Sequence, residues 1–247
     1  MTNYIILAVL AIVSYLLGSV NFAIIISKIK QKDIRDVGSG NPGTLNMSRN
    51  FGLKIGLLTF FLDVLKGVLP TLISFFVFRK EFDITGNFNF SHLATYVCGF
   101  SAVLGHIYPI FLKFKGGKGI ATTIGVFLIC ECTQGLAWAS VVIMAIVAAV
   151  VFIYITEFGA MGSFIAITPP AISGGIRLYL LYGKIPEVSY LYIISCVMIL
   201  LICFFTWFAH RKNIERMLAG EEHPTSIKQL LVKAKNKRKE KKYLKGK

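Results

Sequence analysis

The sequence predicts an all-α integral membrane protein of seven transmembrane helices, with its N-terminus outside and its C-terminus cytoplasmic. Composition gives the first reason: of 247 residues, 55% are hydrophobic and only 16% charged, below the roughly 25% charged of soluble domains. Apolar runs near or above the ~18 residues that read as membrane helices also recur along the chain. The third reason is where the net charge of +15 sits. Lys28, Lys30, Lys32 and Arg35 follow the first run, Lys113, Lys115 and Lys118 follow the third, and a dense basic stretch from Arg211 follows the last. The intervening loops hold only Arg79, Lys80, Arg177 and Lys184. Lysine and arginine accumulate on the cytoplasmic side, which sets the orientation. No polar stretch is long enough to build a water-facing core domain.

The first run, residues 4–27, lacks the basic leader of a signal peptide and is too long for a signal's apolar region, so it reads as a retained helix. The second, 53–78, carries Asp63 and Lys66 on one helical face; ionisable residues inside a membrane mark either a functional site or a structural ion pair. The third is 92–112. Residues 119–155 are interrupted by Glu131-Cys-Thr-Gln-Gly135, and one helix of that length would overshoot a ~30 Å bilayer core at 1.5 Å per residue. Two spans, 119–134 and 136–155, fit better. The span 160–182 holds Pro169-Pro170 and Gly174-Gly175 and is expected to kink. The last is 189–209. A membrane domain of residues 1–225 is then followed by a basic tail, 226–247. That composition reads as a disordered, solvated segment or one drawn to anionic lipid.

Three polar segments stand at the cytoplasmic ends of these spans. In the first, Gly38-Ser-Gly-Asn-Pro-Gly-Thr-Leu-Asn-Met-Ser-Arg49, the literal G-x-G-x-x-G follows a membrane helix and a basic loop, which excludes a dinucleotide fold. Ser39, Gly40, Asn41 and Asn46 offer neutral hydrogen bonds and close backbone approach, and Arg49 a planar fork suited to phosphate. The second, Lys113-Phe-Lys-Gly-Gly-Lys-Gly119, is not a Walker loop, yet Gly116, Gly117 and Gly119 would bare N–H groups at a helix start beside the Lys118 charge. The third, His210-Arg-Lys-Asn-Ile-Glu-Arg216, puts His210 and Asn213 on one helical face. His106 reads as a packed, hydrogen-bonded histidine. Cys98, Cys130, Cys132, Cys196 and Cys203 have no zinc-type spacing and read as free membrane cysteines.

In this order, and joined by Tyr15-Leu-Leu-Gly-Ser19, Asp63-Val-Leu-Lys-Gly67 and the run from Gly105 to Gly119, the segments resemble the bacterial membrane acyl-phosphate:glycerol-3-phosphate acyltransferases, the PlsY family. The resemblance implies transfer of a fatty acyl group from acyl phosphate to the 1-hydroxyl of glycerol 3-phosphate. The products would be 1-acylglycerol 3-phosphate and phosphate, in the first step of phospholipid synthesis. It implies a multi-pass protein of the bacterial plasma membrane with a cytoplasm-facing site. Its partners would be the two substrates and membrane lipids; no nucleic acid, cofactor or metal is implied. It makes His210, Asn213, Arg49 and Lys118 the catalytic residues and Ser39, Gly40, Asn41, Asn46, Gly116, Gly117, Gly119 and Ser163 the substrate-binding ones. The chain departs from the family pattern at Leu45, where a threonine is usual, and at Glu157 and Ala160 in the loop before Ser163.

Acyl phosphate already has a good leaving group, so the task is to hold two anions together and place the hydroxyl on the carbonyl carbon, an approximation that can supply up to ~7–11 kcal/mol. No Ser-His-Asp set is visible. The expected base is a substrate's own phosphate, with His210 as orienter and hydrogen-bond donor. Gly117→Ala is expected to raise the KM for glycerol 3-phosphate. A phosphate transporter would need sites near the midplane and access from both faces; the motifs lie at one end, and no inverted repeat is evident.

Overall fold

The computed structural model describes residues 1–81, 86, 88–222 and 224–245. Among these the α-helices run α1 Thr2–Gly18, α2 Phe22–Ile29, α3 Thr44–Phe51, α4 Leu53–Phe78, α5 Phe90–Ile107, α6 Ile120–Gln134, α7 Ala139–Thr156, α8 Gly159–Tyr182, α9 Ser189–Phe208, α10 Arg211–Leu218 and α11 Ile227–Lys245. Among the described residues, six stretches are long and apolar enough to cross a membrane: Thr2–Ile29, Leu53–Phe78, Phe90–Leu112, Leu136–Thr156, Gly159–Tyr182 and Pro186–Phe208. The α6 helix is also apolar but shorter, at 15 residues.

The first run is broken, not continuous. Ser19, Val20 and Asn21 interrupt it, and the Asn21 side chain accepts the Ile24 N–H at 3.0 Å to cap α2. The break exposes backbone at membrane depth, where every polar group needs a protein partner. Lys66 supplies one, donating from Nζ to the Val20 carbonyl at 2.9 Å while pairing with Asp63 at 3.0 Å. Of the two readings of this pair, the structure thus shows the structural one: it ties α4 to the α1–α2 break.

At about 1.5 Å per residue α6 spans only about 22 Å, less than the ~30 Å hydrocarbon core. The turn after it leaves Leu136 exposed, but its start is tied to α8. Arg177 of α8 donates from Nη2 to the Gln134 carbonyl at 3.1 Å and stands 5.8 Å from the Trp138 ring. A cation at a helix C-terminus meets the negative end of its dipole. Ser173, one turn earlier on α8, donates its hydroxyl to the buried Glu131.

The buried α5 packs against α1, α4, α6 and α9. The α4–α6 contact is backbone on backbone: a Cβ on Gly67 would fall 2.2 Å from the Thr122 carbonyl oxygen, and one on Gly125 2.2 Å from that of Val64. Small residues permit this approach, which fixes the start of α6. Pro169 and Pro170 both lie within the single helix α8. Residues 227–245 form helix α11, where composition suggested disorder; Gly246 and Lys247 of the expected tail lie outside the described residues.

Candidate active site

In the first segment Gly38 and Gly40 adopt positive φ, +61° and +68°, and the chain turns into α3. The buried Asn46 amide closes this turn. Its Nδ2 donates to the carbonyls of Ile34 at 3.3 Å and Val37 at 3.0 Å, and its Oδ1 accepts from Ser39 N–H at 3.2 Å and Asn50 Nδ2 at 3.0 Å. Asn46, expected to hold substrate, instead shapes the loop, because a buried amide satisfies its polar atoms where the chain offers partners. Ser39 stands exposed on the rim, with Gly40 and Asn41 half-buried beside it. Among the described residues no hydrogen bond joins Ser39, Gly40 or Asn41 to the Lys118 network described below.

The second segment folds back on the end of α5. Gly116 N–H donates to the Ile107 carbonyl and Gly117 N–H to the His106 carbonyl, each at 3.1 Å. These two amides, expected to face phosphate, are therefore used to pin the loop. A Cβ on Gly117 would lie 2.3 Å from His106 Nε2, so the glycine is needed where the loop crosses the imidazole. His106 is buried as expected, with Nδ1 3.2 Å from Thr122 Oγ1 and 3.7 Å from Asp63 Oδ1. Gly119 has φ +85° and precedes α6, whose first internal bond runs from Thr123 N–H to the Gly119 carbonyl at 2.8 Å. The amides before it are the helix's orphan donors, the natural place for an anion.

The third segment meets the second directly. Lys118 Nζ donates to Asn213 Oδ1, and Asn213 Nδ2 donates to Glu222 Oε1 at 2.7 Å. Glu222 Oε2 also accepts from Arg216 Nε at 3.2 Å. The amide is thus oriented from both sides, oxygen toward the cation and nitrogen toward the carboxylate. Burial pushes the Lys118 ammonium down to about 8; Glu222 opposes the shift, and Arg216 and Arg49 add to it. Arg49 therefore shares the field of Lys118. Its Nη2 donates to the Pro224 carbonyl at 3.1 Å and to Thr225 Oγ1 at 3.0 Å, while Thr225 N–H donates to the Glu157 carbonyl at 2.7 Å. The segment after α10 is a strap that ties the first and third motifs and the α7–α8 turn together.

His210 sits at the joint of α9 and α10, 3% exposed. Its Nδ1 lies 2.9 Å from the Thr206 carbonyl, which can only accept, so Nδ1 carries the proton. Burial, then Lys118, holds its pKa down at about 4 against the opposing Thr206 carbonyl and Glu222. With Nδ1–H used on the Thr206 carbonyl, the neutral ring leaves Nε2 as a lone pair, able to accept a hydrogen bond where a donor was expected. Phe164 of α8 packs edge-on against this ring, centroids 5.4 Å apart. The neighbouring Ser163 hydroxyl donates to the Gly159 carbonyl of its own helix at 2.9 Å and does not join the network.

From Phe164 an apolar groove of about 560 Å³ runs along one face of α8 past Ile165, Thr168 and Ile172 to Ile176 and Trp138. Glu222, Thr225, Thr206 and Phe164 are the site residues that motif reading missed. Glu222 alone had a sequence signal, as a carboxylate just beyond the third motif in a strongly basic region.

A family model for glycerol-3-phosphate acyltransferase matches residues 8–220. The chain belongs to the glycerol-3-phosphate acyltransferase family. It is 39% identical over 214 residues to the glycerol-3-phosphate acyltransferase of Aquifex aeolicus (strain VF5), covering 87% of this chain and 96% of that one. Identity to the Thermoanaerobacter pseudethanolicus protein of the same name is 36% over 213 residues, 86% and 92% of the two chains. Among solved structures, the glycerol 3-phosphate form of PlsY, an integral membrane glycerol 3-phosphate acyltransferase, superposes with a TM-score of 0.69 at 33% identity, covering 91% of this chain and 98% of that one. The lysophosphatidic acid form gives 0.68 at 32% identity, with 92% and 98% covered. All three motifs fall within residues 8–220, whereas Glu222 and Thr225 lie just beyond them.

Proposed function

We propose that this protein transfers a fatty acyl group from acyl phosphate to the 1-hydroxyl of sn-glycerol 3-phosphate, releasing 1-acylglycerol 3-phosphate and phosphate. One observation carries the reading: a half-buried cation, Lys118, held by Asn213, which is itself fixed by Glu222, lies at the same end of the bundle as an apolar groove that begins at Phe164 beside His210. Polar anion chemistry and a lipid chain are accommodated side by side. The solved relatives carry glycerol 3-phosphate and lysophosphatidic acid, the acceptor and product of this reaction. Lipophilic donor and polar acceptor then converge from membrane and water.

In this reading Lys118, Arg49 and the first amides of α6 hold the phosphate groups and the charge developing on the leaving phosphate, where preorganised donors act in a dry site. The acceptor oxygen bonds to the acyl carbon, the carbon–oxygen bond to phosphate breaks, and inorganic phosphate leaves with that electron pair. The hydroxyl proton passes to a substrate phosphate. His210 Nε2 orients the hydroxyl by accepting its hydrogen bond; a ring with a pKa of about 4 is a weak base. Seven crossings, counting short α6, with the N-terminus outside place Arg49, Lys118 and His210 at the cytoplasmic face of a bacterial plasma membrane, supported by the basic residues at that end. Ser39, Gly40, Asn41 and Ser163 are proposed to reach substrate from the rim, and residues 1–225 to form the catalytic unit.

The test is phosphate release by purified protein supplied with acyl phosphate. Release strictly dependent on glycerol 3-phosphate is expected. Comparable turnover with acyl-CoA as sole donor would overturn the donor assignment.

A further inference from the structure

The groove on α8 has a definite far end. From Phe164 to Ile176 is twelve residues of helix, about 18 Å at 1.5 Å per residue, close to the ~15 Å of hydrocarbon in one leaflet. Its lining is apolar along that length except for Thr168 and Ser173. It then meets Trp138 in the turn between α6 and α7. If α6 crosses the membrane, as in the reading above, its 15 residues reach only about 22 Å and leave that turn short of the far face. Trp138 is not a loose side chain: the Arg177 guanidinium stands over its ring at 5.8 Å, and Arg177 is itself fixed to the Gln134 carbonyl at 3.1 Å.

Behind Trp138 the environment changes character. Ser173, the last polar residue of the groove lining, donates to Glu131, which is 1% exposed. Among the described residues, buried Glu131 Oε2, Gln134 Oε1 and Arg177 Nε have no hydrogen-bond partner. A methylene chain pushed into this cluster would displace whatever solvates those atoms and satisfy none of them, which is unfavourable for buried polar groups. The groove is open along its outer side, where Ile172 and Ile176 are exposed, and it ends on a pinned indole backed by a carboxylate and a guanidinium, a steric stop and a polar stop at one depth.

We propose that Trp138, held by Arg177, is the distal stop of the acyl groove and sets the longest acyl chain that the protein accommodates. This rests on the reading of the groove as the acyl site. Chains up to the stop gain cover with each methylene, about fourfold in affinity per group from the transfer free energy of a buried CH₂. Longer chains must bend out toward lipid and gain nothing further. Trp138 is a specificity-determining residue, remote from the reacting atoms.

The experiment uses the full-length protein reconstituted in bilayers, with acyl phosphates of stepwise increasing chain length at saturating glycerol 3-phosphate. In parallel, binding of lysophosphatidic acids of the same lengths is measured without turnover. For the native protein kcat/KM and affinity should climb with length and then level off or fall. Trp138→Ala should move that break to longer chains, with a gain of several-fold for the first chain beyond the native break and an unchanged KM for glycerol 3-phosphate. Trp138→Leu, which keeps an apolar side chain in the turn, should move it less. If a folded Trp138→Ala or Trp138→Leu protein keeps the native length profile, the assignment is overturned. The binding series decides this independently of the donor: a shifted lysophosphatidic acid profile with no acyl-phosphate turnover would sink the donor reading and support the stop.

Discussion

Gly117→Ala tests how the glycine loop works. Its new Cβ would lie 2.3 Å from His106 Nε2, about 1 Å closer than ordinary contact. The imidazole has little room to retreat, being buried with Thr122 Oγ1 at 3.2 Å and Asp63 Oδ1 at 3.7 Å. Overpacking of this kind costs about 1–3 kcal/mol. The loop is the softer partner, and Lys118 follows Gly117 directly, so relief of the clash moves the cation; a shift of order 1 Å can reduce rate by about 10²-fold. The variant should therefore lose both thermal stability and kcat/KM, beyond the rise in KM expected for a phosphate ligand alone. The assay is a double-mutant cycle: stability and kcat/KM of Gly117→Ala in the native and His106→Ala backgrounds. With the ring gone, the alanine should cost little, leaving a coupling of about 1–3 kcal/mol, where unconnected sites add within ~0.5 kcal/mol. An equal penalty in both backgrounds refutes the steric account and returns Gly117 to direct contact with phosphate.

Arg49→Ala and Lys118→Ala should each cost about 2–4 kcal/mol in kcat/KM, the range for a lost transition-state donor; Arg49→Lys keeps charge but not the fork holding Pro224 and Thr225, so it should fall between, and near-native rates in matched membranes would contradict the assignment. Because burial lowers the Lys118 ammonium to about 8, KM for glycerol 3-phosphate should rise as pH climbs through that value, and Lys118→Arg should abolish the limb. Since His210 folds with a pKa of about 4 against 6.5 unfolded, the unfolded chain binds the extra proton between these values. Stability should therefore fall as pH drops from 6.5 to 4, by up to about 3 kcal/mol; denaturation curves of the native protein should show this and those of His210→Asn should not. His210→Asn should keep measurable turnover and His210→Ala lose far more; if both are equally dead although folded and able to bind glycerol 3-phosphate, the histidine is the general base. Truncation after Ser226 removes α11 but leaves Thr225 on Arg49 and Glu157, so turnover should persist, whereas Thr225→Val should lower it measurably.

Most of the helices were legible in the sequence because a bilayer imposes one local rule on every spanning segment: enough apolar residues in a row, with backbone bonds made inside the helix. Residues 53–78 and the split at Gly135 followed from that rule. The three motifs were legible too, as glycine and charge at the ends of apolar runs. What the residues do once together was not. The break at Val20 is tolerable only because Lys66, far along the chain, reaches its carbonyl. Gly116 and Gly117 looked like free amides until α5 supplied their acceptors. Asn46 looked like a ligand and is a loop brace. Asn213 is oriented by Lys118 on one side and Glu222 on the other, and His210 Nε2 is left as the lone pair because Nδ1–H donates to the Thr206 carbonyl of α9. By itself the sequence determined which segments are apolar enough to cross a membrane and which polar chemistry stands at their ends, since hydrophobicity and charge are local properties of the chain. Only the tertiary structure decided which polar atoms remain for substrate, because a hydrogen bond made within the protein removes a donor from the ligand, and that pairing depends on residues far apart in sequence.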